Sequence, residues 1–228
     1  MPATAIISYD DTLNDQDALA LGRVLSELGA GLVLAYVRHT HELEDTRERL
    51  EEHEAEALLE RGARWLGDLD VERRVVVSGS TGEGLKWLAE REDADLVVFG
   101  SDYRTAAGHV SPQRSAQILL EGGTAAVAIA PANYRSTRQP HLARIGVLAD
   151  PRDEAATETA RELAENAGAT VSREPRQVDL LVVGSRAEAP HGRVMISSQA
   201  QRAIDEAVCP VLVIPHGVSI RFAAHAAV

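Results

Sequence analysis

The chain has 228 residues, 45% of them hydrophobic but only 4% aromatic, so it can bury an aliphatic core in one large unit or two small ones. Its formal net charge of -12 repels a phosphate backbone and argues against nucleic-acid binding. No apolar run approaches the roughly 20 residues of a membrane span, and the single cysteine, Cys209, excludes an internal disulfide.

Ala5–Tyr9 is the first predicted strand, ended by Asp10-Asp11-Thr12. Met1–Thr4 has no basic region and runs straight into it, which predicts no signal peptide and, with the lone cysteine, a cytoplasmic protein. Ala18, Leu21, Val24, Leu25 and Leu28 form the stripe of an amphipathic helix, closed by Gly29. Leu32–Val37 is the second strand and Leu43–Leu66 a long charged helix. Val71–Val77 is the third strand; Gly79-Ser80-Thr81-Gly82 then starts a helix and could seat an anion there, although without the P-loop lysine a helix cap is the simpler reading. Asp95–Phe99 is the fourth strand, Ser111-Pro112 opens the next helix as N-cap and first turn, and Ala125–Ala130 is the fifth strand. A polar linker follows, and the pattern restarts. Ile145–Leu148 is a strand ended by Asp150, and a helix spans Asp153–Asn166, closed by Gly168.

The chain then repeats itself. Asp95-Leu96-Val97-Val98-Phe99-Gly100-Ser101 returns as Asp179-Leu180-Leu181-Val182-Val183-Gly184-Ser185. At equal offsets Gly108, Val110, Ala116-Gln117 and Pro131 correspond to Gly192, Val194, Ala200-Gln201 and Pro215. Each copy reads strand, loop, helix, strand, which requires a parallel sheet with ligands beyond the carboxyl ends of its strands. The second copy is short: 90 residues separate Asp10 from Gly100, but 34 separate Asp150 from Gly184. The loss corresponds to the long helix, a strand and another helix. If Ala169–Arg173 forms a strand, about five residues, or roughly 17 Å, remain for the return. The predicted organisation is a complete unit over 1–133, a linker over 134–142, a truncated unit over 143–216 and a tail over 217–228.

Together, the aspartate-ended first strand, the Ala-Asp-Leu-Val-Val-x-Gly-Ser run and Cys209-Pro210-Val211-Leu212-Val213-Ile214-Pro215 resemble tandem universal stress proteins. The resemblance implies two Rossmann-like parallel-sheet units of strand order 3-2-1-4-5, the second shortened. It also implies pairing through the last strands, Ala125–Ala130 against Cys209–Ile214. Many members bind ATP through Gly-x2-Gly-x9-Gly-Ser/Thr. By that correspondence Asp10 meets the nucleotide, Val37 contacts adenine and Gly100-Ser101 begins the phosphate loop. Tyr103 stands where the second glycine belongs and is expected to fill part of the phosphate space. Pro112, Gln113 and Arg114 stand near the final pair, where Ser111, Arg114 and Ser115 would partly substitute, with Gly108 giving the loop another geometry. The second-copy equivalents are Asp150, Gly184, Ser185, Gly192, Ser197 and Ser198, with Ala187 at the second glycine.

The expected function is a stress-response regulator with a degenerate ATP-type pocket in the first unit, Mg²⁺ at Asp10-Asp11 being the implied companion. The alternative is an interaction scaffold of the same fold. An ATP hydrolase is a third reading, although no nucleophile has an identifiable base. A homodimer is expected to cover the face left by the missing segment. His39-x-His41 with Glu42 would be a metal site, but a solvent-facing loop is the simpler reading.

Overall fold

The computed structural model describes residues 3–39, 45–68, 70–137, 142–174 and 176–223, with backbone alone over 45–51. Five strands form the first half: β1 (Thr4–Ser8), β2 (Gly31–His39), β3 (Glu72–Ser78), β4 (Leu96–Gly100) and β5 (Ala126–Ala130). Its helices are α1 (Leu13–Glu27), α2 (Asp45–Leu66), α3 (Thr81–Glu92) and α4 (Arg114–Leu120). The second half holds β6 (Arg144–Leu148), α5 (Ala155–Ala167), β7 (Thr170–Ser172), β8 (Leu180–Gly184), α6 (Ser198–Asp205) and β9 (Val211–Ile214).

All nine strands join one sheet in the order β3-β2-β1-β4-β5-β9-β8-β6-β7. Every pairing is parallel except β5 with β9. The first half therefore has the 3-2-1-4-5 order, and the second repeats it without a third strand. The connection from β7 to β8 passes β6, with Glu174 and Val178 over Gly146.

Period-2 alternation sends side chains to two helical layers. Ile7, Leu96, Val98, Ala128 and Leu212 pack toward α1 and α5. Ile6, Val97, Phe99, Val127, Val183 and Val213 pack toward α3, α4 and α6. With both faces covered, the central strands read as continuous apolar runs.

At the junction, Val127 pairs with Val213, Ala128 with Leu212 and Ile129 with Val211. Gly100 and Gly184 are 84 residues apart, and Ala128 and Leu212 are separated by the same 84. The register is thus reciprocal, and a local twofold passes through the Ala128–Leu212 pair.

Several boundaries differ from the sequence expectation. Thr12 caps α1 through a capping box with Asp15, as the Asp-Asp-Thr stop leads directly into the helix. The α4 N-cap is Gln113, without a side-chain bond, and not Ser111. Ser111 and Pro112 are drawn back toward the sheet, where Pro112 bridges Ser101. The start of the linker is anchored: Tyr134–Ser136 forms a 3-10 turn with Tyr134 buried. Residues 133 and 135 donate their N–H groups to Asp17, whose carboxylate also takes Arg135 Nη1 at 2.9 Å.

Candidate functional site

The carboxyl rim of the first half gathers several of the expected residues. Asp10 follows β1, and its N–H donates to Asp15 Oδ2 at 3.0 Å, while its carboxylate makes no hydrogen bond among the described residues. Burial pushes the Asp10 carboxyl above its ordinary value, opposed by the nearby His39 and reinforced by Asp11. Asp11, at φ +58°, turns to bond Tyr9 Oη and Arg61 Nε; the Tyr9 bond is the main reason its carboxyl is lowered. His39 ends β2 and its Nε2 lies 3.3 Å from Thr81 Oγ1, the first residue of α3.

Thr81 leads into a cavity of about 310 Å³ between the starts of α3 and α4. Ser80, Thr81, Asp102, Gln113, Arg114 and Ser115 line it. Ser80 caps α3 by accepting from the Glu83 N–H, so the Gly79–Gly82 turn is a helix cap that also forms a wall of this cleft. Arg114 is exposed and makes no hydrogen bond or ion pair among the described residues. The Asp102 carboxylate accepts from the Arg104 N–H at 2.9 Å. A larger hollow beneath α2, lined by Tyr36, Leu58 and Arg61 among others, takes in His39.

The remaining first-half residues serve the framework. Val37 is buried in β2, paired with Val76, and its methyls lie against Gly84 of α3. Gly100 admits no side chain because a Cβ would stand 2.0 Å from the Asn14 carbonyl oxygen. Ser101 is 1% exposed; its hydroxyl donates to the Ala130 carbonyl at 2.7 Å and accepts from the Ser111 N–H at 3.2 Å. Gly108, at φ +82°, donates to the Ala132 carbonyl at 2.8 Å. Tyr103 does not enter the cleft between α3 and α4: it is 71% exposed, with Arg104 stacked 4.9 Å from its ring centre. The loop is pinned on both sides of Tyr103, by Asp102 to Ser111 and by Gly108 to Ala132, which leaves the ring in solvent.

The second half repeats this wiring. Ser185, also 1% exposed, donates to the Ile214 carbonyl at 2.8 Å and accepts from the Met195 N–H at 3.1 Å. Gly192, at φ +73°, donates to the His216 carbonyl at 2.8 Å. The loops also cross the local twofold reciprocally: Val110 N–H donates to Ala207, and Val194 N–H to Gly123. What differs is the rim. Gly184 ends β8, Ser197 caps α6 through the Ala200 N–H, and Ser198 is exposed. Asp150 pairs with Arg152 at 3.0 Å, which holds its carboxyl down to about 2. Among the described residues no counterpart of α3 stands beside the start of α6.

Sequence reasoning weighed Ser80 and Thr81 as part of an anion seat but preferred a helix cap, and it missed Asp102. The signal for the first two was present, since Gly79-Ser80-Thr81-Gly82 starts a helix at the carboxyl edge of the same sheet. His41 and Glu42 lie outside the described residues. Among the described residues, no cluster of three or more His, Cys, Asp or Glu side chains is placed to hold a metal ion. No described helix is long and apolar enough to cross a membrane.

Comparison with known proteins agrees with this architecture. A universal stress protein from Archaeoglobus fulgidus superposes with TM-score 0.69 at 14% identity, covering 93% of this chain and 98% of the other. A functionally unknown protein from Pseudomonas aeruginosa PAO1 gives TM-score 0.59 at 15% identity, covering 95% and 93%. A putative universal stress protein from Pseudomonas aeruginosa UCBPP-PA14 gives 0.57 at 16% identity, covering 95% and 94%. At these identities the likeness is one of fold. No curated protein sequence matches significantly. The universal stress protein family pattern matches residues 6–122 and 173–215, well over half the sequence, and the chain belongs to that family.

Proposed function

We propose that this stress-response family member is regulatory and that its first half holds an adenine-nucleotide-type ligand at the α3–α4 cleft. The observation that carries the reading is Arg114. It lines a cavity of about 310 Å³ with its guanidinium unpaired among the described residues, beside Ser115 and two helix starts. A guanidinium and helix-start N–H groups together favour a phosphate. The volume is at the low end for ligand pockets. It suits the phosphate end, with the nucleoside extending past Thr81 and His39 toward Asp10, whose free carboxylate accepts ribose hydroxyls. Asp102 in the same cleft opposes excess negative charge and weakens a triphosphate relative to a monophosphate.

The alternative, a scaffold without nucleotide, draws support from the loop itself. The Ser101 hydroxyl and the Gly108 N–H, two donors a phosphate cradle would use, are spent on Ala130 and Ala132. Titration calorimetry with AMP and ATP separates the two readings. Binding that weakens at least tenfold in Arg114→Ala and Asp10→Asn supports the nucleotide site. No heat and no thermal shift with either nucleotide leaves the scaffold.

A further inference from the structure

The segment after β9 lies extended in the groove between α1 and α5. From Ser219 onward its residues alternate: Ile220 and Phe222 are 2% and 4% exposed, while Arg221 and Ala223 face solvent. Side chains of α5 read its backbone. Ile220 N–H donates to Thr159 Oγ1 at 3.0 Å, and Phe222 N–H donates to Glu162 Oε1 at 2.6 Å. Asn166 Nδ2 donates to both the Ala223 and the Leu28 carbonyls, at 3.3 and 3.0 Å. Thr159 itself donates to the Ala155 carbonyl, which leaves its lone pairs for the incoming N–H. Across the groove Gly29 O accepts from the Ala223 N–H, an approach so close that a Cβ on Gly29 would stand 2.1 Å from the Ala223 carbonyl oxygen.

The spacing matches an extended guest. Thr159, Glu162 and Asn166 lie on one helical stripe, and seven residues of helix rise about 10.5 Å. Three residues of extended chain, Ile220 to Ala223, advance about 10 Å. Alternate side chains enter the groove while helix side chains hold the backbone between them. That is the geometry of a peptide-recognition groove.

We propose that the α1–α5 groove is a seat for an extended apolar-x-aromatic segment, filled within the chain by Ile220–Phe222 and, when that strap lifts, by the same segment of a second copy. A second copy presents the same two side chains and N–H groups, so exchange conserves every contact. Only the five residues from Pro215 to Ser219 connect β9 to the strap, and a short hinge favours exchange between copies. While the strap is seated, binding from another chain is weakened by the fraction of time the groove is open.

The test uses full-length protein and a fluorescent peptide of residues 216–223. The peptide binds the Ile220→Asp/Phe222→Asp chain at least tenfold more tightly than the unaltered chain, and the same peptide carrying both aspartates does not bind. Equal affinity for both chains, or equal affinity of both peptides, overturns the proposal. Light scattering gives a second reading. The unaltered protein gains dimer as its concentration rises after mild warming and the doubly substituted protein does not; a monomer under all conditions, or dimers from both, overturns it. Should the double variant not fold, hydrogen exchange on the unaltered chain decides. The Ile220 and Phe222 amides exchange at least tenfold faster than those of Val211–Ile214 if the strap lifts by itself; an equal, slow rate shows that it never does.

Discussion

The loops over 101–132 and 185–216 share their wiring bond for bond, whereas the sheet rims beside them do not. In both, a buried serine ties the loop to the last strand of its half, a left-handed glycine bonds the chain beyond that strand, and a valine N–H crosses to the other half. Only the first rim also has α3, and with it Thr81 opposite Arg114. Loss of 56 residues therefore removed a cleft wall and left the loop geometry untouched. The loops are held by the junction between β5 and β9, which both halves share. The α3–α4 cleft depends on neighbouring helices, which only the first half retains.

The largest test of this comparison is at the chain crossings beside the junction. Asp17 is 0% exposed and accepts from the Asn133 and Arg135 N–H groups and from the Arg135 guanidinium. Asp17→Ala leaves a cation and two N–H groups without their acceptor and is expected to cost about 3–5 kcal/mol in urea unfolding. The corresponding crossing after β9 is lighter. Asp153 accepts from Gly217 N–H at 3.2 Å with His216 Nε2 at 3.9 Å, and Asp153→Ala should cost about 1–2 kcal/mol. Equal losses would break the asymmetry.

Ser101→Ala and Ser185→Ala test the sameness of the loops. Each removes one donor and one acceptor from a buried pair of bonds, and each should cost about 1–3 kcal/mol, the two agreeing within about 0.5 kcal/mol. Nucleotide affinity in Ser101→Ala should stay within about twofold of the unaltered chain, because that hydroxyl is already engaged. A large loss of affinity with little loss of stability would return Ser101 to the ligand site.

The smallest effect sharpens the view of the seam. Cys209 is buried beside β9, and burial, assisted by the charge of Asp179, pushes its thiol up to about 12. At neutral pH both folded and unfolded chains keep the proton. As pH rises past the ordinary thiol value of about 8.5 toward 12 the unfolded chain loses it first, so stability falls. Cys209→Ala should recover up to about 2 kcal/mol of the decline between pH 8 and 10.5 in paired urea melts. Tyr9 and Tyr134, also pushed up by burial, maintain the rest of the slope. An identical slope in both proteins would mean that the thiol is solvated.

Much of the fold was legible because parallel strands buried on both faces must be short continuous apolar runs, and Leu96–Phe99 and Leu180–Val183 have no other reading. Arg114 and Ser115 were legible from the motif position they occupy. Tyr103 and Ser101 were not, because bulk at a glycine position says nothing of which way a loop turns. The direction was decided by bonds from Ser101 to Ala130 and from Gly108 to Ala132, across 29 and 24 residues. Ile220 and Phe222 sit in a segment too short and Ala-rich for any periodicity, and their partners lie on α5 and at Gly29.

By itself the amino-acid order determined the duplication, the truncated second copy and the parallel strand pattern, since each follows from local hydrophobicity and from residues recurring at equal offsets. Tertiary structure alone decided which hydroxyls and amides are already satisfied, where Arg114 finds open space, and how the segment after β9 fills the α1–α5 groove. A hydrogen bond or buried side chain depends on partners many residues away, and no local pattern names the partner.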